Sequence, residues 1–145
     1  MSLLAARCPD GGTMAIPDLA QDGHIPGKFL EAILLDLKRH GFVASRRGKG
    51  GGYALARPAA DIAIGDLVRA LDGPLAPIPC ASLSAYRACA DCSDPGACAI
   101  RRLMRAVRDA TAQILDGTSL AAFAADQWAA PAAPERPIES ARKAP

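Results

Sequence analysis

The sequence predicts a mainly α-helical fold with a small β-hairpin wing: a winged helix-turn-helix followed by a long C-terminal dimerisation helix. Three observations predict it. Two helical stretches meet at a short turn around residues 23–25, two strand-like runs flank a glycine-rich tip, and one long stretch repeats its apolar residues at spacings of three and four. With 145 residues the chain has room for one ordinary domain. Half of it is apolar but only 4% is aromatic, so Leu, Ile, Val and Ala must build the core.

In chain order, Pro9-Asp10-Gly11-Gly12 is a turn, and Pro17 suits the first turn of a short helix that stops near Gly23. Pro26 opens a longer helix. In it Leu30, Ile33, Leu34 and Leu37 follow the i, i+3, i+4, i+7 rule, Lys38 and Arg39 occupy the last turn, and Gly41 ends it. Phe29, Leu30 and Ile33 are expected in the core. Phe42–Arg46 and Tyr53–Ala56 read as strands joined by Arg47-Gly48-Lys49-Gly50-Gly51-Gly52, which turns a helix-turn-helix into a winged helix. A short helix, Leu67–Asp72, is closed by Gly73-Pro74, and Pro74–Pro79 is a connector. Cys80–Cys98 is a loop by composition. From Cys98 to about Leu115, Ile100, Leu103, Val107, Ala110 and Ile114 form a 3-4-3-4 seam, with Arg101, Arg102, Arg105 and Arg108 outside it. Such a seam needs a partner helix. After Trp128 large apolar residues are too few to pack, and a disordered tail is expected. The expected divisions are a DNA-binding domain at 1–73, a cysteine-containing loop at 74–98, the dimerisation and C-terminal helices at 99–127, and the tail at 128–145.

Charge separates the function classes once its placement is considered. The net value is only +2, yet Arg46, Arg47, Lys49 and Arg57 lie between Val43 and Arg57 with no anion among them. Glycines let such a tip approach a nucleic-acid backbone, and Arg47 or Lys49 can reach a narrow minor groove. The tip is no phosphate cradle, because Gly50 stands where a Walker A loop needs Ser or Thr, and Tyr53 where a dinucleotide fingerprint needs its third glycine. On the second helix, Lys28 can donate to guanine or a phosphate and Glu31 can accept from cytosine, the bland alternative being an i, i+3 ion pair between them. No Ser/His/Asp or paired-carboxylate constellation calls for an enzyme. His24 and His40 are expected to be surface or capping residues. No run of 18 apolar residues is present and Ser2–Ala6 is too short for a signal-peptide core, so no membrane partner and a cytoplasmic location are expected.

Five cysteines cannot all pair internally, and in a reducing compartment metal binding or redox chemistry is the expected use. Four run Cys80-x8-Cys89-x2-Cys92-x5-Cys98. Tetrahedral zinc sites commonly use two C-x2-C pairs and only one is present, whereas iron–sulfur clusters tolerate uneven spacing from a loop running into a helix. An iron–sulfur cluster, a zinc site and a thiol switch all remain open on spacing. Cys8 stands apart.

Ile25-Pro26-Gly27-Lys28-Phe29-Leu30, the run from Ser45-Arg46-Arg47 through Gly48-Lys49-Gly50-Gly51-Gly52-Tyr53 to Arg57, then Ile64-Gly65-Asp66 and Gly73-Pro74-Leu75 together resemble the bacterial regulator family of IscR, NsrR and RirA. The resemblance covers about residues 15–120. It implies a homodimeric regulator of transcription that binds double-stranded promoter DNA and pairs through the helix around Ile100 to Leu115. Its cysteine loop would hold a 2Fe–2S or 4Fe–4S cluster that senses iron, cluster supply, nitric oxide or redox state. By position, Lys28 and Glu31 match the recognition-helix readers and Arg47 the minor-groove arginine, with Arg46, Lys49 and Tyr53 alongside. Cys92 and Cys98 match the last two cluster ligands, and Cys89 or Cys80 supplies the rest. Family members open with a longer first helix than Met1–Arg7 provides, and some take a further ligand where this chain has Arg101.

Overall fold

A computed structural model describes residues 1–8 and 10–125. The tail expected at 128–145 lies outside the described residues. The short α1 (Ser2–Arg7) precedes α2 (Ile16–Asp22) and α3 (Gly27–Arg39), the two helices of the helix-turn-helix. The turn between them carries His24 at a positive φ of 51°. Strands β1 (Val43–Arg46) and β2 (Gly52–Leu55) form the wing, antiparallel, with Val43 opposite Leu55 and Arg46 opposite Gly52. A 3-10 turn at Ala59–Asp61 leads to α4 (Ile64–Leu71). Another at Pro79–Ala81 precedes the cysteine loop, and α5 (Ala99–Asp116) and α6 (Leu120–Ala124) follow.

One apolar core unites these elements. The α3 stripe supplies Leu30, Leu34 and Leu37, with Ile33 packed at its margin, against Leu19 of α2, Phe42 and Val43 of the wing root, and Leu67 of α4. Leu4 of α1 and Leu120 of α6 close the same core, so both ends of the described chain return to one body. His40 is the C-cap of α3, its Nδ1 lying 2.8 Å from the Asp36 carbonyl.

Two expectations are corrected. Phe29 is not a core residue: it is 63% exposed. A helix turns about 100° per residue, so the position before Leu30 is carried off the narrow stripe that faces the core. The helix expected at Leu67–Asp72 begins at Ile64. Gly65 weakens the helical pattern in the sequence, but a Cβ there would stand 1.8 Å from Asp116 Oδ1, so glycine is what lets the end of α5 approach. The start is fixed from a distance: Ile64 N donates to the Thr118 carbonyl at 2.9 Å, and Leu120 N to the Ile62 carbonyl at 2.7 Å. Arg69 of α4 then grips Asp116 with both terminal guanidinium nitrogens, Nη1 and Nη2, at 2.7 and 2.8 Å.

Along α5 the seam residues Ile100, Leu103, Val107 and Ile114 are between 42% and 61% exposed. Among the described residues no helix is long and apolar enough to cross a membrane.

Candidate nucleic-acid interface and cysteine pocket

The wing is stiffened where it is most basic. Met14 and Tyr53 exchange backbone hydrogen bonds at 2.9 and 2.8 Å, and Thr13 Oγ1 donates to the Gly50 carbonyl at 2.7 Å. This brings the segment before α2 against β2 so closely that a Cβ at Gly52 would lie 2.2 Å from the Met14 carbonyl oxygen. At Gly51 it would lie 2.5 Å from that of Arg46. Lys38 Nζ donates to Ser45 Oγ at 2.7 Å, tying α3 to the strand that carries Arg46. Arg46, Arg47, Lys49 and Arg57 are all exposed, and Arg57 lies over the Phe42 ring at 5.2 Å.

Lys28 and Glu31 are exposed on the first turns of α3. Among the described residues they form no ion pair with each other, and Arg46, Arg47 and Lys49 form none either. These cations keep their full charge for an external anion. Tyr53 differs from them: its ring is half-buried against the core and its backbone is held on both sides.

All four loop cysteines border one pocket of about 320 Å³, with Cys80, Cys89, Cys92 and Cys98 accompanied by Ile78, Tyr86, Asp91, Pro95, Ile100 and Arg101. Cys98 also caps α5, its Sγ accepting from Arg101 N at 3.5 Å. Burial pushes the Cys92 thiol above its ordinary value, and the neighbouring Cys98 adds to the shift. Among the described residues no three His, Cys, Asp or Glu side chains converge closely enough to hold a single metal ion. Four soft sulfur donors in a largely apolar pocket nonetheless suit an iron–sulfur cluster, whose several iron atoms take thiolates spread more widely than one ion does. Cys8 lies apart, beside Gly12.

Two arginines that the heptad pattern places merely outside the seam hold the backbone of the loop, and one of them, Arg101, also borders this pocket. Arg101 Nε donates to the Cys80 carbonyl at 2.9 Å and Nη1 to the Pro95 carbonyl at 3.2 Å, while its guanidinium lies over the Tyr86 ring at 5.7 Å. One side chain thus clasps both ends of the segment from 80 to 95. Two turns on, the buried Arg108 donates to the Ala81 carbonyl and pairs with Asp109. In the sequence they are legible only as charges seven residues apart on one helix face, because their partners in the loop are backbone carbonyls.

Comparison with known proteins fits this geometry. The sequence profile of the Rrf2 family, described as an iron-dependent transcriptional regulator, matches residues 1–126. An rrf2-like HTH-type transcriptional regulator of Rhodobacter capsulatus is 44% identical over 115 residues, covering 79% of this chain and 77% of that protein. The HTH-type transcriptional regulator CymR of Bacillus subtilis is 32% identical over 81% of this chain and 75% of its own length. The solved structure of CymR, the global cysteine regulator of B. subtilis, superposes with a TM-score of 0.68 at 29% identity, covering 86% of this chain and 89% of that one. T. potens IscR shares the fold, with a TM-score of 0.65 at 24% identity over 88% of this chain and 80% of that one.

Proposed function

Because the chain belongs to the Rrf2 family of HTH-type transcriptional regulators, we propose that it is a homodimeric, sequence-specific DNA-binding regulator whose cysteine loop senses iron–sulfur cluster status, iron, nitric oxide or redox state. In this reading Lys28 and Glu31 meet base edges in the major groove. Arg46, Arg47 and Lys49 engage phosphates and the minor groove, and Tyr53 stiffens the wing beside them. Two copies pair along the exposed α5 seam. The working divisions are DNA binding within residues 1–73, sensing within 74–98 and dimerisation within 99–127. The protein acts on promoter DNA in the cytoplasm and catalyses no reaction.

The lining of one pocket by Cys80, Cys89, Cys92 and Cys98 supports the sensing half of the reading. A 2Fe–2S or 4Fe–4S cluster held there would supply a centre whose stability depends on iron, oxygen and nitric oxide. The chain's own part is mechanical. Arg101 and Arg108 fix the backbone of the loop, and Cys98 joins the pocket directly to the first turn of α5.

The test is anaerobic purification followed by the visible spectrum and the iron, sulfide and zinc contents. Brown protein with iron and sulfide in similar amounts, and different operator affinities for holo and apo forms, are expected. Equal affinities would overturn the sensing role and leave the regulator standing. A second reading, a thiol-based or zinc-stabilised regulator without a cluster, is favoured by the similarity to CymR, and colourless protein that takes up no cluster on reconstitution would support it.

A further inference from the structure

Phe29 is an aromatic residue on the reading helix that packing does not use. It lies in the first turn of α3, outside the core cluster and 63% exposed. Lys28 is its neighbour, and on a helical wheel Phe29 and Glu31 stand on opposite flanks of Lys28, about 100° and about 60° away. Ala32, one turn on, is exposed as well.

An isolated apolar side chain on a surface is ordinary and needs no partner. Phe29 is set apart by its surroundings. It sits on the helix that follows the turn of a helix-turn-helix, beside a lysine with no ion pair among the described residues and on the same body as a wing bearing three cations, Arg46, Arg47 and Lys49. That charge commits the face to a polyanion, and this fold offers it the major groove of duplex DNA. A ring carried into that groove meets base edges that are almost wholly polar. The apolar exception is the C5-methyl group of thymine.

Resting on the DNA-binding reading, we infer that Phe29 is a specificity-determining residue whose ring packs against a thymine methyl group in each operator half-site. Lys28 and Glu31, to one side of the ring around the helix, recognise donors and acceptors on neighbouring base pairs. Thymine is then preferred to cytosine at one position by hydrophobic contact.

Operators are selected from random duplex DNA with the full-length protein, and each thymine of the half-site is replaced in turn by uracil, which lacks only the methyl group. At one position the wild-type Kd should rise about fourfold, the equivalent of ~0.8 kcal/mol for one buried methyl group. Phe29→Ala should bind the original operator more weakly and lose the thymine–uracil difference at that position alone. Because the ring is exposed, circular dichroism and dimer content should match wild type. Indifference of wild type to every uracil, or a variant that keeps the full difference, would overturn the inference. A Phe29→Ala protein that becomes monomeric would also overturn it, by assigning the ring to a subunit contact. Selection of no sequence at all would overturn the DNA-binding reading itself, and so distinguishes the two failures.

Discussion

At the scale of the residue, close approach decides what each position tolerates. Gly52→Ala puts a methyl group within 2.2 Å of the Met14 carbonyl, and relief requires breaking the Met14–Tyr53 pairing. We expect a loss of about 1–3 kcal/mol in urea denaturation together with weaker DNA binding, and unchanged stability would refute this account of the wing. Arg101→Ala removes the clasp on Cys80 and Pro95, so Cys80 should be alkylated faster in the apo protein; equal rates in both proteins would remove the clasp from the mechanism. Single positions were unevenly legible in the sequence. Lys28 and Glu31 are exposed as their place on the helix implied, whereas Phe29 was drawn into the core by its hydrophobicity. A stripe defined by Leu30, Leu34 and Leu37 leaves its immediate neighbour undecided, because one residue of rotation separates buried from exposed. Arg101 and Arg108 were legible only as charges, since their partners are carbonyls that no side-chain pattern reports.

Elements carry the electrostatics. Arg47→Ala and Lys49→Ala should each make the slope of log K against log salt shallower by about 0.9 if each neutralises one phosphate; the loss should be uniform across sequences for a residue on phosphate alone and largest on narrow-groove sites for one in the minor groove. An unchanged slope would place that residue off the DNA. On α5, Leu103→Glu should convert dimer to monomer in sedimentation velocity, since the seam it interrupts is exposed in the single chain. A dimer that survives it would locate the interface elsewhere. Both elements were readable because their signals are local: a glycine-rich basic tip between strands, and a 3-4-3-4 repeat. The start of α4 was not, because the bonds of Ile64 to Thr118 and of Ile62 to Leu120 join segments more than 50 residues apart. The cysteine pocket was half readable. Spacing singles out its four thiols, and the long-range arginine contacts that hold the loop backbone around them leave no trace in the sequence.

For the whole molecule an informative contact is Arg69–Asp116, which joins the winged-helix body to the end of α5. The Arg69 guanidinium holds the Asp116 carboxyl below its ordinary value of 3.8. A carboxylate with a lowered folded pKa contributes its full stability above the unfolded value and loses it as pH falls through the folded one. Asp116→Asn should therefore cost about 0.5–1 kcal/mol at neutral pH, discounted for a partly exposed pair, and the gap to wild type should close below about pH 4. A gap independent of acid would deny the pair its ionic character. Clasped to the cysteine loop through Arg101 and gripped at Asp116 by Arg69, α5 works as a lever between that loop and α4, because movement of its Asp116 end must carry Arg69 with it. Its 18 residues span about 27 Å, so a tilt of about 5° at the cysteine end swings the Asp116 end by about 2 Å. In a symmetric pair, reading heads about 34 Å apart must stay in phase with one turn of the double helix. On the proposed reading of a dimer that senses through its cysteines, a small change at the sulfurs would become a phase error between two grooves, with the operator itself as the ruler.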